Sequence, residues 1–301
     1  MKKNLLRVVV FSFVTLILLY ALQLGIGYRY YKNSSSKYSK LMRHELDPDI
    51  MLFGPSTVIK HYSPTIIKRN TGFSVYNMGY DGMFSLQSSG LIYEFLSYTK
   101  NCKYIVIGGI HFLDRDWVIA RTDLFYAYLN NEIIYQSLYD IEPKKIAFAR
   151  YLPGYKLTLL NKTFYKNLIL KSDDASLGYE PINDTTPNFV KMNPVDYKID
   201  EYVVSKLQTT INDIQKKGVK VIIVVPPIYS NGYHLLVQMD DIIEKYKSMA
   251  GGNVFFINYS KHPMCKEQRY FNNNTHLNVL GATKFSEIFS NDLMQIEKST
   301  K

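Results

Sequence analysis

Asp49-Ile50-Met51-Leu52-Phe53-Gly54-Pro55-Ser56 is the stretch on which the fold turns. Its apolar run is too short for a buried helix, shows no alternation with polar residues, and stops at Gly-Pro. Such a run reads as a strand buried on both faces, the habit of parallel sheets. Four further runs have the same character: residues 73–77, halted at Gly79; 103–107, halted at Gly108-Gly109; 219–225, halted at Pro226-Pro227; and 254–257. Helical spacing fills the intervals. Ile199, Val203, Leu207, Ile211 and Ile214 form one stripe, closed by Lys216-Lys217-Gly218, with cations in the last turn and glycine just beyond it. Ala282, Phe285, Ile288, Phe289, Leu293 and Ile296 form another, with Asn278 as the expected N-cap. Alternating strands and helices imply right-handed crossovers. The expected fold is therefore α/β: a three-layer α/β/α sandwich on a mainly parallel sheet of about five strands, flavodoxin-like in outline.

The alternation has three interruptions. Residues 8–28 carry no charge and, at about 1.5 Å per residue, span roughly the hydrocarbon thickness of a bilayer. The exit, Leu22-Gln23-Leu24-Gly25-Ile26-Gly27, lacks the small-residue site of a cleaved leader, and no Cys follows it to take a lipid. Residues 1–28 are thus read as a cytoplasmic stub and transmembrane anchor. Basic residues lie on both sides of the run (Lys2, Lys3 and Arg7 before; Arg29, Lys32, Lys37, Lys40 and Arg43 after), so charge alone does not orient it. Long following domains translocate largely regardless of charge, which favours the domain outside, on a single-pass protein of a bacterial cytoplasmic membrane. Residues 29–48, with Asn33-Ser34-Ser35-Ser36, read as a polar stalk before a domain over 49–301. Within that domain, residues 112–195 read as an insertion of helices over the site, rich in tyrosine (Tyr126, Tyr128, Tyr135, Tyr139, Tyr151, Tyr155 and Tyr165).

At 47% hydrophobic and 21% charged, the 301-residue chain is globular in composition. Net charge is +10; without Lys2, Lys3 and Arg7 there remain 33 basic against 26 acidic residues, or +7. A basic surface beside a membrane suits anionic lipid or polymer, and equally suits plain solubility. No nucleic-acid module is present. Cys102 and Cys265 are too few for a disulfide scaffold: they form one bridge or remain two buried thiols. His61, His234 and His262 have no metal-ligand spacing, and neither metal nor cofactor is expected.

In an open parallel sheet, ligands bind beyond the carboxyl ends of the strands. Those ends carry Gly54-Pro55-Ser56-Thr57, then Asn77-Met78-Gly79-Tyr80-Asp81, then Gly108-Gly109-Ile110-His111, and finally Asn273-Asn274-Thr275-His276-Leu277-Asn278 before the last helix. A serine hydroxyl is a poor nucleophile until a base removes its proton, and neutral imidazole suits that task near pH 7. Backbone N–H groups at Ser56 and Gly79 suit a developing oxyanion. Each residue also has a plainer reading: Ser56 as a helix cap, Gly79 as a turn glycine needing positive φ, His276 as a structural residue at a helix entrance, His111 as a packing histidine.

The order of these blocks resembles the SGNH (GDSL-type) hydrolases, a superfamily of esterases and acyltransferases. Gly54-x-Ser56 resembles their first block, Asn77-x-Gly79 their second, and Asn273-x-x-His276-Leu277-Asn278-x-x-Gly281 their last. The resemblance implies Ser56 as nucleophile, His276 as its base, and Ser56 and Gly79 N–H groups as the oxyanion hole. It departs from the family at two places. Asn273 stands where the triad aspartate belongs, and Ile110 where the oxyanion-hole asparagine belongs, leaving His111 as a weak substitute donor. Asp81, Asp114 and Asp116 are the candidate replacement acids. The implied function is a serine-dependent O-acyl esterase or acyltransferase, acting on a surface polysaccharide or a lipid-linked acyl substrate, with a membrane acyl-transfer partner. The alternative is a non-catalytic accessory of the same fold that binds polymer or a membrane partner.

Overall fold

The computed structural model describes residues 2–109, 113, 122–169, 176–189, 193–196 and 198–300. The chain divides into two compact units, residues 1–45 with 121–173, and residues 46–120 with 174–301. The strands are β1 (Ile50–Phe53), β2 (Val75–Asn77), β3 (Tyr104–Gly108), β4 (Lys220–Val225) and β5 (Val254–Asn258). The helices of the first half are α1 (Lys2–Asn33), α2 (Lys37–Met42), α3 (Ser56–His61), α4 (Pro64–Thr71) and α5 (Ser85–Tyr98). There follow α6 (Glu132–Tyr139), α7 (Pro143–Tyr151), α8 (Tyr155–Leu159) and α9 (Lys162–Ile169). The last are α10 (Glu201–Lys216), α11 (Ser230–Tyr233), α12 (Met239–Ser248) and α13 (Val279–Ser299).

The second unit holds the sheet. All five strands are parallel, in the order β2-β1-β3-β4-β5. Each coincides with one of the five apolar runs. Because side chains alternate across a strand, Ile50, Leu52, Val75, Tyr104, Val106, Ile222 and Val224 share one face, packed with Val58 of α3, Ile67 of α4, and Phe285, Phe289 and Leu293 of α13. The alternate set, Met51, Phe53, Ile105, Ile107, Val221, Ile223 and Val225, is equally buried. On that side α10 packs against both α5 and β4. Covering both faces explains why the strands read as continuous apolar runs. The helix ends follow the expected chemistry. Asp200 caps α10 and Gly218 follows it with φ 77°, while Asn278 caps α13 by accepting the Gly281 N–H at 3.0 Å. The strand order reverses between β1 and β3, which puts the switch point at the carboxyl ends of those two strands.

The first unit departs from the sequence expectation. Helix α1 has 32 residues and is long and apolar enough to cross a membrane. Residues 29–48, expected as a polar stalk, are instead helical through most of their length. Tyr30, Tyr38, Leu41 and Met42 are buried. Tyr30 stacks on Phe164 at 4.2 Å between ring centroids, and Tyr38 lies against Phe125. The Ser39 hydroxyl and the Tyr128 phenol are 2.6 Å apart. The reason is aromatic packing: tyrosine and phenylalanine from 122–169 supply the apolar surface that a stalk so rich in serine lacks. The insertion expected as one block at about 112–195 is thereby divided, with 121–173 in this unit and 174 onward in the sheet unit.

Candidate active site

Strand β1 delivers Ser56 through a turn that only glycine permits. Gly54 has φ 151°, and a Cβ there would fall 2.2 Å from the Gly108 carbonyl oxygen and 2.5 Å from a Val58 methyl. Pro55 is the N-cap of α3 and contributes no side-chain cap. Ser56 is therefore the first residue of the helix, and its hydroxyl does not serve as the cap. Its Oγ lies 2.8 Å from His276 Nε2, across 220 residues of sequence.

His276 sits in a loop whose hydrogen bonds decide its tautomer. Asn273 Oδ1 accepts the backbone N–H groups of Thr275 at 3.0 Å and His276 at 2.9 Å. Two donors aimed at one atom fix that atom as the amide oxygen. The same oxygen is 3.1 Å from His276 Nδ1, so Nδ1 carries the proton and Nε2 presents its lone pair to Ser56. The Thr275 hydroxyl is also within reach of Nδ1, at 3.2 Å. Asn273 thus orients the ring as an aspartate would, but adds no charge. Burial pushes the His276 imidazole down to about 4, and the positive charge of Lys60 acts in the same direction against a smaller opposing effect of Asp81. The ring is neutral at pH 7, able to accept a proton but a weak base.

The other candidates fall as follows. Asp81 forms an ion pair with Lys60 at 3.3 Å, so it serves His276 only through space. The Gly79 N–H donates to Asn77 Oδ1 at 2.9 Å, which corrects its expected role as a free oxyanion donor. That glycine is not in a positive-φ conformation either. It is there for close approach, since a Cβ would lie 2.6 Å from the Ile59 nitrogen of α3. The Asn77 amide in turn donates to the Val58 and Tyr62 carbonyls at 2.9 and 3.1 Å, tying β2 to α3. Among the described residues, the Ser56 and Thr57 N–H groups at the start of α3 have no acceptor, as the geometry of a helix start dictates. Lying at the start of α3, they are free backbone donors among the described residues. Ile110, His111, Asp114 and Asp116 lie outside the described residues. Cys102 and Cys265 are free thiols, both raised by burial, Cys102 to about 12.

The sequence offers His61 only as a metal ligand without the spacing for one, and gives it no place beside Ser56 and His276. It is fully buried, five residues after Ser56, and its Nε2 accepts the Leu277 N–H at 3.0 Å, next to His276. Its Nδ1 has no hydrogen-bond partner among the described residues. Burial holds it neutral, well below the ordinary histidine range, and the neighbouring His276 adds to that effect. A strap that the sequence does not announce lies nearby. Glu180 N–H donates to Ile59 O at 3.1 Å, Val279 N–H to Ile182 O at 2.8 Å, and Asn188 N–H to Asn272 O, so residues 180–188 tie α3 to the His276 loop.

Two histidines kept neutral make stability depend on pH. Both are lowered by folding, so between pH 6.5 and about 4 the unfolded chain binds protons that the folded chain does not. Stability is present above pH 6.5 and falls as pH drops through that window. For His276 alone the loss is about 3 kcal/mol. Urea midpoints measured from pH 7 to pH 4 should fall, and should fall less steeply in His276→Gln; equal slopes in the two proteins would refute the assignment.

No family model matches this chain, and no curated protein matches it. Among solved structures, one from Streptococcus pneumonia, described provisionally as a platelet activating factor, covers 95% of this chain and 98% of its own at 12% identity, with a TM-score of 0.45. Similarity at that level says nothing about the chemistry at Ser56.

Proposed function

We propose that this protein is a serine-dependent O-acyl esterase or acyltransferase of the SGNH type, acting on a cell-surface glycan or lipid-linked polymer. One observation carries the reading: Ser56 Oγ at 2.8 Å from His276 Nε2, with Nδ1 held by the Asn273 amide oxygen. In that arrangement His276 takes the hydroxyl proton as Oγ attacks an ester carbonyl. The N–H groups of Ser56 and Thr57 face the developing oxyanion, and His276 returns its proton to the leaving alcohol. Water or a second alcohol then releases the acyl group. The net charge of +7 beyond Arg7 favours an anionic polymer as acceptor. We place α1 in a bacterial cytoplasmic membrane with the sheet-bearing domain facing outside, where such polymers lie, and beside a membrane partner that supplies the acyl group.

A second reading rests on two specific findings, the neutral Asn273 and the committed N–H of Gly79. Both weaken catalysis and favour a non-catalytic accessory that binds polymer or a membrane partner. A fluorophosphonate probe separates the two readings. Stoichiometric labelling of the wild type that disappears in Ser56→Ala is the expected result. An unlabelled wild type would shift the assignment to the accessory.

A further inference from the structure

Helix α1 does not meet the membrane alone. Gln23, Gly27 and Tyr30 are its buried residues, and Leu19 is half-buried among exposed neighbours. Positions 19, 23, 27 and 30 form one stripe at helical spacing. The stripe faces protein of the same unit: a Cβ on Gly27 would lie 3.5 Å from the Ala127 carbonyl, Tyr30 stacks on Phe164, and a Cβ on Gly154 would lie 3.4 Å from the Leu19 side chain. The polar Gln23, only 1% exposed, lies on this stripe, and neither of its amide atoms has a hydrogen-bond partner among the described residues.

Depth follows from helix geometry. The uncharged run is bounded by Arg7 and Arg29. If α1 crosses a bilayer, residues 8–28 fill the hydrocarbon. Leu19 is nine residues from Tyr28, about 13 Å along the axis, close to the middle of a core about 30 Å thick. The turn between α7 and α8, which packs on Leu19 through Gly154, lies at the same depth.

That turn has a surface suited to acyl chains. Phe148, Tyr151 and Leu152 are 54%, 62% and 45% exposed. Arg150, among them, is neutralised by Glu132 at 2.8 Å and covered by the Tyr135 ring at 4.2 Å. Most of the turn's backbone donors are paired from within: Leu152 N–H donates to Phe148 O and Tyr155 N–H to Leu152 O, Pro153 has no N–H, and the Gly154 N–H has no acceptor among the described residues. Internal pairing is what non-helical backbone needs at membrane depth. Lys156, buried just after the turn, carries its amine to 3.8 Å from the Gly27 Cβ position.

We infer that the α7–α8 turn, residues 148–154, is a second membrane element that enters the same bilayer as α1 and buries Phe148, Tyr151 and Leu152 among acyl chains. This rests on reading α1 as a membrane span, so the test examines the two separately. The chain has one tryptophan, Trp117, and Trp117→Phe removes it. In that background, Phe148→Trp, Tyr151→Trp, Leu16→Trp in α1 and Tyr202→Trp at the start of α10 are made in the full chain and reconstituted in phosphatidylcholine–phosphatidylglycerol vesicles with brominated acyl chains. Expected are losses of fluorescence at 148 and 151 comparable with that at 16, protection from aqueous acrylamide, and no lipid quenching at 202. Quenching at 16 with 148 and 151 behaving like 202 overturns the inference and leaves the span intact. Absence of quenching at 16 as well overturns both. Tyr151→Trp exchanges one exposed aromatic for another, so it reports even if Phe148→Trp disturbs folding.

Discussion

Asn273→Asp is expected to raise the turnover of a small acetyl ester about 10- to 100-fold, from a low wild-type rate. In serine proteases the loss of the triad carboxylate costs about 10⁴ in kcat, a cost that includes the wrong histidine tautomer. Here the tautomer is already right. The Thr275 and His276 N–H groups hold the amide oxygen, and so Nδ1–H, in place. What the wild type lacks is charge. His276 stands at about 4, with Lys60 opposing any imidazolium that forms during attack on the ester. A carboxylate at 273 accepts the same two N–H groups, lifts the basicity of the ring and stabilises the imidazolium. The pH profile should change with the rate. The wild type needs unprotonated His276, so its acid limb lies near pH 4, whereas Asn273→Asp should move that limb up towards neutrality. The measurement is ester hydrolysis from pH 4 to 9 for the wild type, Asn273→Asp, and the same change combined with Ser56→Ala. An unchanged rate and acid limb would mean that charge at Nδ1 does not limit the chemistry. A gain that persists without the Ser56 hydroxyl would remove Ser56 as nucleophile.

Gly54→Ala is expected to destabilise the sheet unit by more than about 3 kcal/mol. Two penalties coincide at this residue. Its φ of 151° is one that L side chains rarely adopt, and the added methyl would lie 2.2 Å from a backbone oxygen of the neighbouring strand. Neither β1 nor β3 can retreat, because each is locked between two parallel partners. Gly72 provides the comparison. It also has positive φ, at 80°, but nothing lies within 4 Å of its Cβ position. Gly72→Ala should therefore cost only about 1–2 kcal/mol, the price of left-handed backbone alone. Denaturant unfolding of both variants checks the contrast, and equal losses would show that strain rather than the close approach to Gly108 makes Gly54 necessary.

Some of the site chemistry is legible in local sequence. Asn77 accepting the N–H of Gly79, and Asn273 accepting that of Thr275, are bonds between residues two apart, the local turns that asparagine favours. Read that way, the sequence already indicates that Gly79 N–H is committed and that the Asn273 oxygen points at the loop. His61 was not legible. Its acceptor role depends on Leu277, 216 residues away, and nothing in a lone histidine between Lys60 and Tyr62 foretells it.

By itself, the sequence determined the five strands, the helix ends at Gly218 and Asn278, the turn at Gly54-Pro55, and an N-terminal segment apolar enough to cross a membrane. Each is a local property, set by side-chain periodicity, by backbone angles that glycine and proline allow or forbid, and by length. Only the tertiary structure decided that Ser56 and His276 meet at 2.8 Å, that burial and Lys60 lower the basicity of His276, that Gly79 is needed for its approach to α3, and that Tyr30 and Tyr38 sit under aromatic rings rather than on a stalk. Those outcomes depend on which distant groups exclude water from one another, and that is fixed only when the chain has packed.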